Sequence, residues 1–164
     1  MAIGHAAGIA TSLDYSGAIW IAPAVIAVSN LGGSLLAGRL ADAVSSVGLL
    51  LGLPFLSAVG VTVLAITADV DLLLVCFAVI GFSYGGIIAA YPAVIAKLFG
   101  VLKSPPIYGR VFTAWGSAGL FAPWLAGRLF DWTGAYQLAL LTAGFLGVVS
   151  LCAMTVYFMR KSRS

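Results

Sequence analysis

Few residues in this chain of 164 can do chemistry, and their types narrow that chemistry quickly. There is no Glu, one His (His5), and two Cys (Cys76 and Cys152), with no Cys/His cluster. Metal ligation needs several such donors converging on one point, so no metal or other cofactor is expected. Gly81-Phe82-Ser83-Tyr84-Gly85 fits the G-x-S-x-G nucleophile pattern, which needs a strand-to-helix elbow and a histidine base. Here it lies in a long apolar run that reads as mid-helix, so close packing around a hydroxyl explains it better than catalysis. A G-x-x-x-x-G-K-[ST] phosphate loop is missing, which disfavours an ATP-driven motor. No enzyme activity is expected. What remains are groups able to bind a solute without altering it: Asn30, Ser83, Tyr84, Tyr91, Thr113, Trp115 and Ser117. Asn30 in an apolar helix demands a partner, either a second helix or a solute. Tyr84 and Tyr91 are two helical turns apart and share one helix face, either in the core, toward lipid or on a cavity.

The elements that carry these residues follow from the charges. Only 8% of the chain is charged and 62% is hydrophobic, whereas a soluble domain carries roughly 25% charged residues. Five runs, 15–38, 43–68, 72–96, 111–127 and 132–159, contain no Asp, Lys or Arg. A helix needs about 20 apolar residues to cross the hydrocarbon core. The spacing therefore predicts an all-α membrane protein with spans at 16–37, 47–68, 72–96, 108–126 and 136–158. Soluble enzymes and DNA-binding domains are excluded. The net charge of +3 forms no basic stripe, so nucleic acid is not an expected partner; the membrane lipid is.

Alternate connections divide the basic residues seven to one. Arg39, Lys97, Lys103, Arg110, Arg160, Lys161 and Arg163 fall on one side, and only Arg128 on the other. The positive-inside rule then places the C-terminal tail in the cytoplasm and residue 15 outside, in the cell membrane. Tyr15, Tyr108, Trp132, Tyr136 and Tyr157 sit at span boundaries as aromatic anchors. Residues 1–13 are uncharged and too short to cross. They read as the outer end of a truncated helix, ahead of a five-span bundle over 14–164.

Glycine lies within the spans rather than between them. Gly81 with Gly85, Ser29 with Gly33, Gly86 with Ala90, and Thr113 with Ser117 are small-xxx-small pairs that let helix backbones approach closely. Pro23, Pro92 and Pro123 permit kinks. Cys76 and Cys152 differ in depth by roughly 17 Å at 1.5 Å per residue, so they read as separate buried thiols rather than a disulfide. Ala37-Gly38-Arg39-Leu40-Ala41-Asp42 ends the first span, and Ala126-Gly127-Arg128-Leu129-Phe130-Asp131 ends the fourth. The two copies fall on opposite sides of the membrane. They read either as an inverted three-helix repeat, a construction rule of secondary transporters, or simply as good helix terminators.

Gly38-Arg39-Leu40-Ala41-Asp42 resembles the loop signature of the major facilitator superfamily. Tyr91-Pro92-Ala93, Phe99-Gly100, Tyr108-Gly109, Thr113-Ala114-Trp115-Gly116, Ala118-Gly119, Pro123, Asp131 and Thr133-Gly134-Ala135-Tyr136 are similar to its oxalate/formate antiporter branch and related monocarboxylate carriers. The resemblance covers nearly the whole chain and aligns it with the last five helices of a twelve-helix carrier. It implies alternating-access transport of a small organic anion, with the N-terminal half of the carrier as the missing partner. It also implies that Asn30, Tyr84, Tyr91 and Trp115 line the central cavity, while Arg39 and Asp42 hold the inner gate. Two departures refine this. Ala43 stands where the loop signature continues with a basic residue. Trp115 stands about where oxalate-type members carry a cation, so a monocarboxylate fits better than oxalate. The other reading of the chain is a non-transporting multispan scaffold or assembly protein.

Overall fold

A computed structural model describes residues 2–12 and 18–161. Tyr15, the start of the first expected span, the 13/14 boundary and Arg163 lie outside the described residues. Among those described, the chain is entirely helical: a 3-10 turn at Ile3–His5, then α1 (Ala6–Ser12), α2 (Ala18–Ala43), α3 (Ser46–Ile66), α4 (Val70–Phe99), α5 (Ser104–Thr133) and α6 (Gln137–Lys161).

Local chemistry marks several helix ends. Ser45 Oγ accepts from the Gly48 amide at 3.1 Å, and Asp69 Oδ1 from the Leu72 amide at 2.9 Å, each satisfying an orphan donor at a helix start. The chain leaves α4 at Gly100 (φ +84°) and α5 at Gly134 (φ +68°), conformations that a side chain would strain. Proline stands in the first turn of α5, where its missing N–H costs nothing. Pro23, Pro54, Pro92 and Pro123 lie inside helices. Pro54 adds a fourth position at which a backbone hydrogen bond is lost.

Four helices are long and apolar enough to cross a membrane: Trp20–Ala43, Ser46–Ile66, Val70–Phe99 and Gln137–Arg160. The molecule is a multi-pass helical membrane protein. Helix α5 has the length, 30 residues, but not the apolarity. Its charge-free stretch, 111–127, is diluted by Thr113, Gly116, Ser117, Gly119 and Pro123.

The tightest seam is between α2 and α4, and glycine makes it. A Cβ on Gly81 would stand 2.6 Å from the Ile26 carbonyl oxygen. One on Gly85 would strike the Asn30 carbonyl, and one on Gly33 the Phe82 carbonyl. Ser34 Oγ donates to the Gly85 carbonyl at 3.2 Å. Helix α3 covers α4, with Leu53 against Gly86, and α6 lies on α3, with Gly144 beside Thr62 and Gly147 beside Ala58. Of the expected small-residue pairs, Thr113 and Ser117 take no part in such a seam. Both are exposed, and each donates to the carbonyl four residues back, at 2.9 Å.

Two buried clusters fill opposite ends of the bundle. Leu73, Phe77, Ile80 and Leu64 pack with Ile9 of α1 at one end, while Leu49, Leu53, Ala90 and Val94 pack at the other. These are called below the Asp69 end and the Lys97 end. The Gly-Arg-Leu copy at 38–40 lies at the Lys97 end, and the copy at 127–129 at the Asp69 end. Both cysteines are free. Cys76 is buried, but Cys152 is exposed, which corrects the expectation of two buried thiols. The glycines of α6 seat a different face of that helix on α3.

Candidate functional site

Helix α5 positions the candidate site. Only Ala126 of its residues is buried, and it rests along the edges of α4 and α6. Tyr108, Phe112 and Trp115 recur at spacings of four and three, so they form one stripe. Their rings touch in sequence: Tyr108 to Phe112 at 5.6 Å between centroids, Phe112 to Trp115 at 4.8 Å. The stripe faces Tyr84, whose ring stacks on Trp115 at 6.1 Å and 29°. Aromatic pairs at these separations are favourable beyond their buried area.

Between the stripe and α4 lies a groove of about 110 Å³, lined by Ile87, Ile88 and Tyr91 on α4 and by Tyr108, Val111, Phe112 and Trp115 on α5. None of the lining side chains carries a charge. Trp115 is 41% exposed, so the site is open on the α5 side. Of the expected binding residues, Tyr91 and Trp115 line this groove, and Tyr84 stacks on Trp115 beside it. Asn30 instead sits at the α2–α4 seam with its carbonyl against Gly85, and no ring contact involves it. Its side chain has no hydrogen bond among the described residues, so the helix-to-helix bond across that seam comes from Ser34. Phe112 was not among the candidate residues. The spacing of Tyr108, Phe112 and Trp115 is the signal that points to it.

Of the two expected gating residues, Asp42 pairs with Lys97 at 3.4 Å, and Lys97 Nζ also donates to the Ala41 carbonyl at 2.6 Å. Ala41 lies in the last turn of α2, where carbonyls lack helical partners, so a lysine there satisfies both charge and hydrogen bond. Arg39 is exposed and makes no ion pair among the described residues. This contact joins α2 to α4, and its basic member is Lys97 rather than Arg39.

Ser83 of the G-x-S-x-G sequence is fully buried and donates to the Val79 carbonyl at 2.8 Å. His5 is remote from it. Its Nε2 donates to the Pro123 carbonyl at 3.3 Å, and its ring meets Tyr136 at 5.3 Å, which in turn stacks on Phe130 at 4.5 Å. This cluster ties the N-terminal segment to α5 and to the start of α6. Among the described residues, no group of His, Cys, Asp and Glu converges to hold a metal ion.

No family model matches the chain, and neither does a curated protein or a solved structure.

Proposed function

We propose that the chain is part of a secondary active carrier of the major facilitator type, moving a small monocarboxylate by alternating access. The observation that carries this reading is the charge-free aromatic groove between Tyr91 and Trp115, held on the least apolar long helix of a membrane bundle. A helix that faced only lipid would gain from aliphatic residues along its whole surface. Helix α5 instead presents Thr113, Trp115 and Ser117, as a wall of a polar or solute-filled space would. In this reading α5 is a fifth crossing, the Lys97 end is cytoplasmic, and the other half of the carrier covers the exposed face of α5.

The groove is small, about 110 Å³, and open on the α5 side, which suits an acid of a few heavy atoms. With no cation on the lining, a carboxylate would be costly to hold unpaired. The acid therefore crosses with its proton, or its charge is met by the covering half. The Asp42–Lys97–Ala41 contact holds the inner ends of α2 and α4 together through the cycle.

Equilibrium binding of radiolabelled acetate, pyruvate and oxalate to the purified protein tests this. Monocarboxylates should be retained over oxalate, more strongly as pH falls toward their own pKa. Equal retention of all three, or none of any, would reject the carrier reading. The multispan scaffold then becomes the better account, supported by the glycine seam between α2 and α4, which suits a static bundle equally well.

A further inference from the structure

A second groove, of about 410 Å³, opens at the Lys97 end between α4, α5 and α6. Ile95 and Phe99 of α4, Ile107 and Val111 of α5, and Ala153 and Tyr157 of α6 form most of its wall, with no charged residue on it. Tyr91 and Val111 separate it from the smaller aromatic groove, since both line the two. With its wall of apolar side chains, the larger groove suits an apolar chain rather than water.

The rim has the opposite character. Lys103 stands at the N-cap of α5 and Arg110 seven residues further on, beside Ile107 and Val111, and Arg160 follows Tyr157 by one turn on α6. All three side chains are exposed, and the single ion pair among the described residues is elsewhere, between Lys97 and Asp42. No acid occurs within 95–111 or 150–160 to neutralise them. An apolar slot flanked by three unpaired cations, Lys103 just before α5, Arg110 beside its α5 wall and Arg160 in the last turn of α6, matches one occupant: an amphipath with a hydrocarbon tail and a negative head. Basic pockets between spans are known to select anionic headgroups.

We propose that this groove binds one anionic phospholipid, its acyl chain lying between α4, α5 and α6 and its phosphate among Lys103, Arg110 and Arg160. The bound chain fills the space that α5 leaves by standing off the bundle, and it braces the back of Tyr91. This holds whether or not the protein transports a carboxylate, so failure of one reading leaves the other standing.

Native mass spectrometry of the purified protein with dioleoylphosphatidylglycerol or dioleoylphosphatidylcholine provides the test. One phosphatidylglycerol per chain should be retained at least about tenfold better than phosphatidylcholine. In the triple variant K103Q/R110Q/R160Q the preference should vanish. Ala153→Trp should remove binding of both lipids by filling the slot. Since that variant risks misfolding, a diazirine-tailed phosphatidylglycerol on the unmodified chain gives an independent reading, with crosslinks expected at 95–111 and 153–158. Equal retention of the two lipids, a preference that survives the triple variant, or crosslinks spread evenly to Val28 and Leu35 of α2 would each overturn the proposal.

Discussion

Trp115 meets two aromatic partners, Tyr84 and Phe112, and also lines the smaller groove beside Tyr91. Its indole therefore both shapes the space and holds α5 to α4. Trp115→Ala should weaken monocarboxylate binding about tenfold or more, which is ~1.4 kcal/mol, with helix content unchanged by circular dichroism. Tyr91→Ala should do the same, and unchanged affinity in both variants would remove the site from this groove. Lys97 makes a different kind of contact, because its charge partner Asp42 is largely exposed. Exposed ion pairs contribute only about 0–1 kcal/mol, whereas the bond to the Ala41 carbonyl satisfies a helix-end acceptor. Asp42→Asn should therefore shift the thermal midpoint little, while Lys97→Ala lowers it measurably. A larger effect from Asp42→Asn would mean that the charge pair dominates. That pairing was hidden in the sequence, since its members lie 55 positions apart and Arg39 was the nearer basic residue. The groove was partly legible, because helical spacing places Tyr84 and Tyr91 on one face. The close approach of α4 to the Asn30 backbone was not legible, because nothing local shows that Gly85 meets it.

At the scale of elements, the contrast between glycines is the sharpest consequence of the fold. Gly33, Gly81 and Gly85 leave no room for a Cβ because the opposing atoms are backbone. Gly85→Leu should separate α2 from α4 and cost more than the usual 1–3 kcal/mol of overpacking, seen as loss of the cooperative thermal transition. Gly116 and Gly119 on α5 have nothing within 4 Å, so Gly119→Ala should be neutral or stabilising by up to about 1 kcal/mol. Similar losses from both substitutions would contradict the seam. Four of the long helices could be read directly, since charge-free runs ended by Asp or by Lys and Arg leave few alternatives. Helix α5 was harder, because glycine, hydroxyl and proline residues lower its apolarity below that of a lipid-facing span while leaving its length intact. The exposure of Cys152 was also out of reach. Which face α6 turns outward depends on Gly144 and Gly147 meeting α3, a contact between distant parts of the chain.

For the whole molecule, the proposed disposition across the membrane rests on seven basic residues set against one and requires α5 to be a crossing. Single cysteines at Ser45, Ala68, Lys103 and Gly134, in a protein whose Cys76 and Cys152 are replaced by serine, make this measurable in intact cells. A membrane-impermeant maleimide should label positions 68 and 134 but not 45 and 103. Labelling of 103 and 134 from the same side would show that α5 does not cross. The inverted positions of the two Gly-Arg-Leu copies require opposite sides as well. Transport itself is the central claim, and uptake tests it most directly. Proteoliposomes holding the protein expressed from its intact gene, given an inward proton gradient, should accumulate labelled monocarboxylate, and Trp115→Ala should reduce the rate severalfold. No uptake of any carboxylate above protein-free liposomes, under either direction of gradient, would contradict the account.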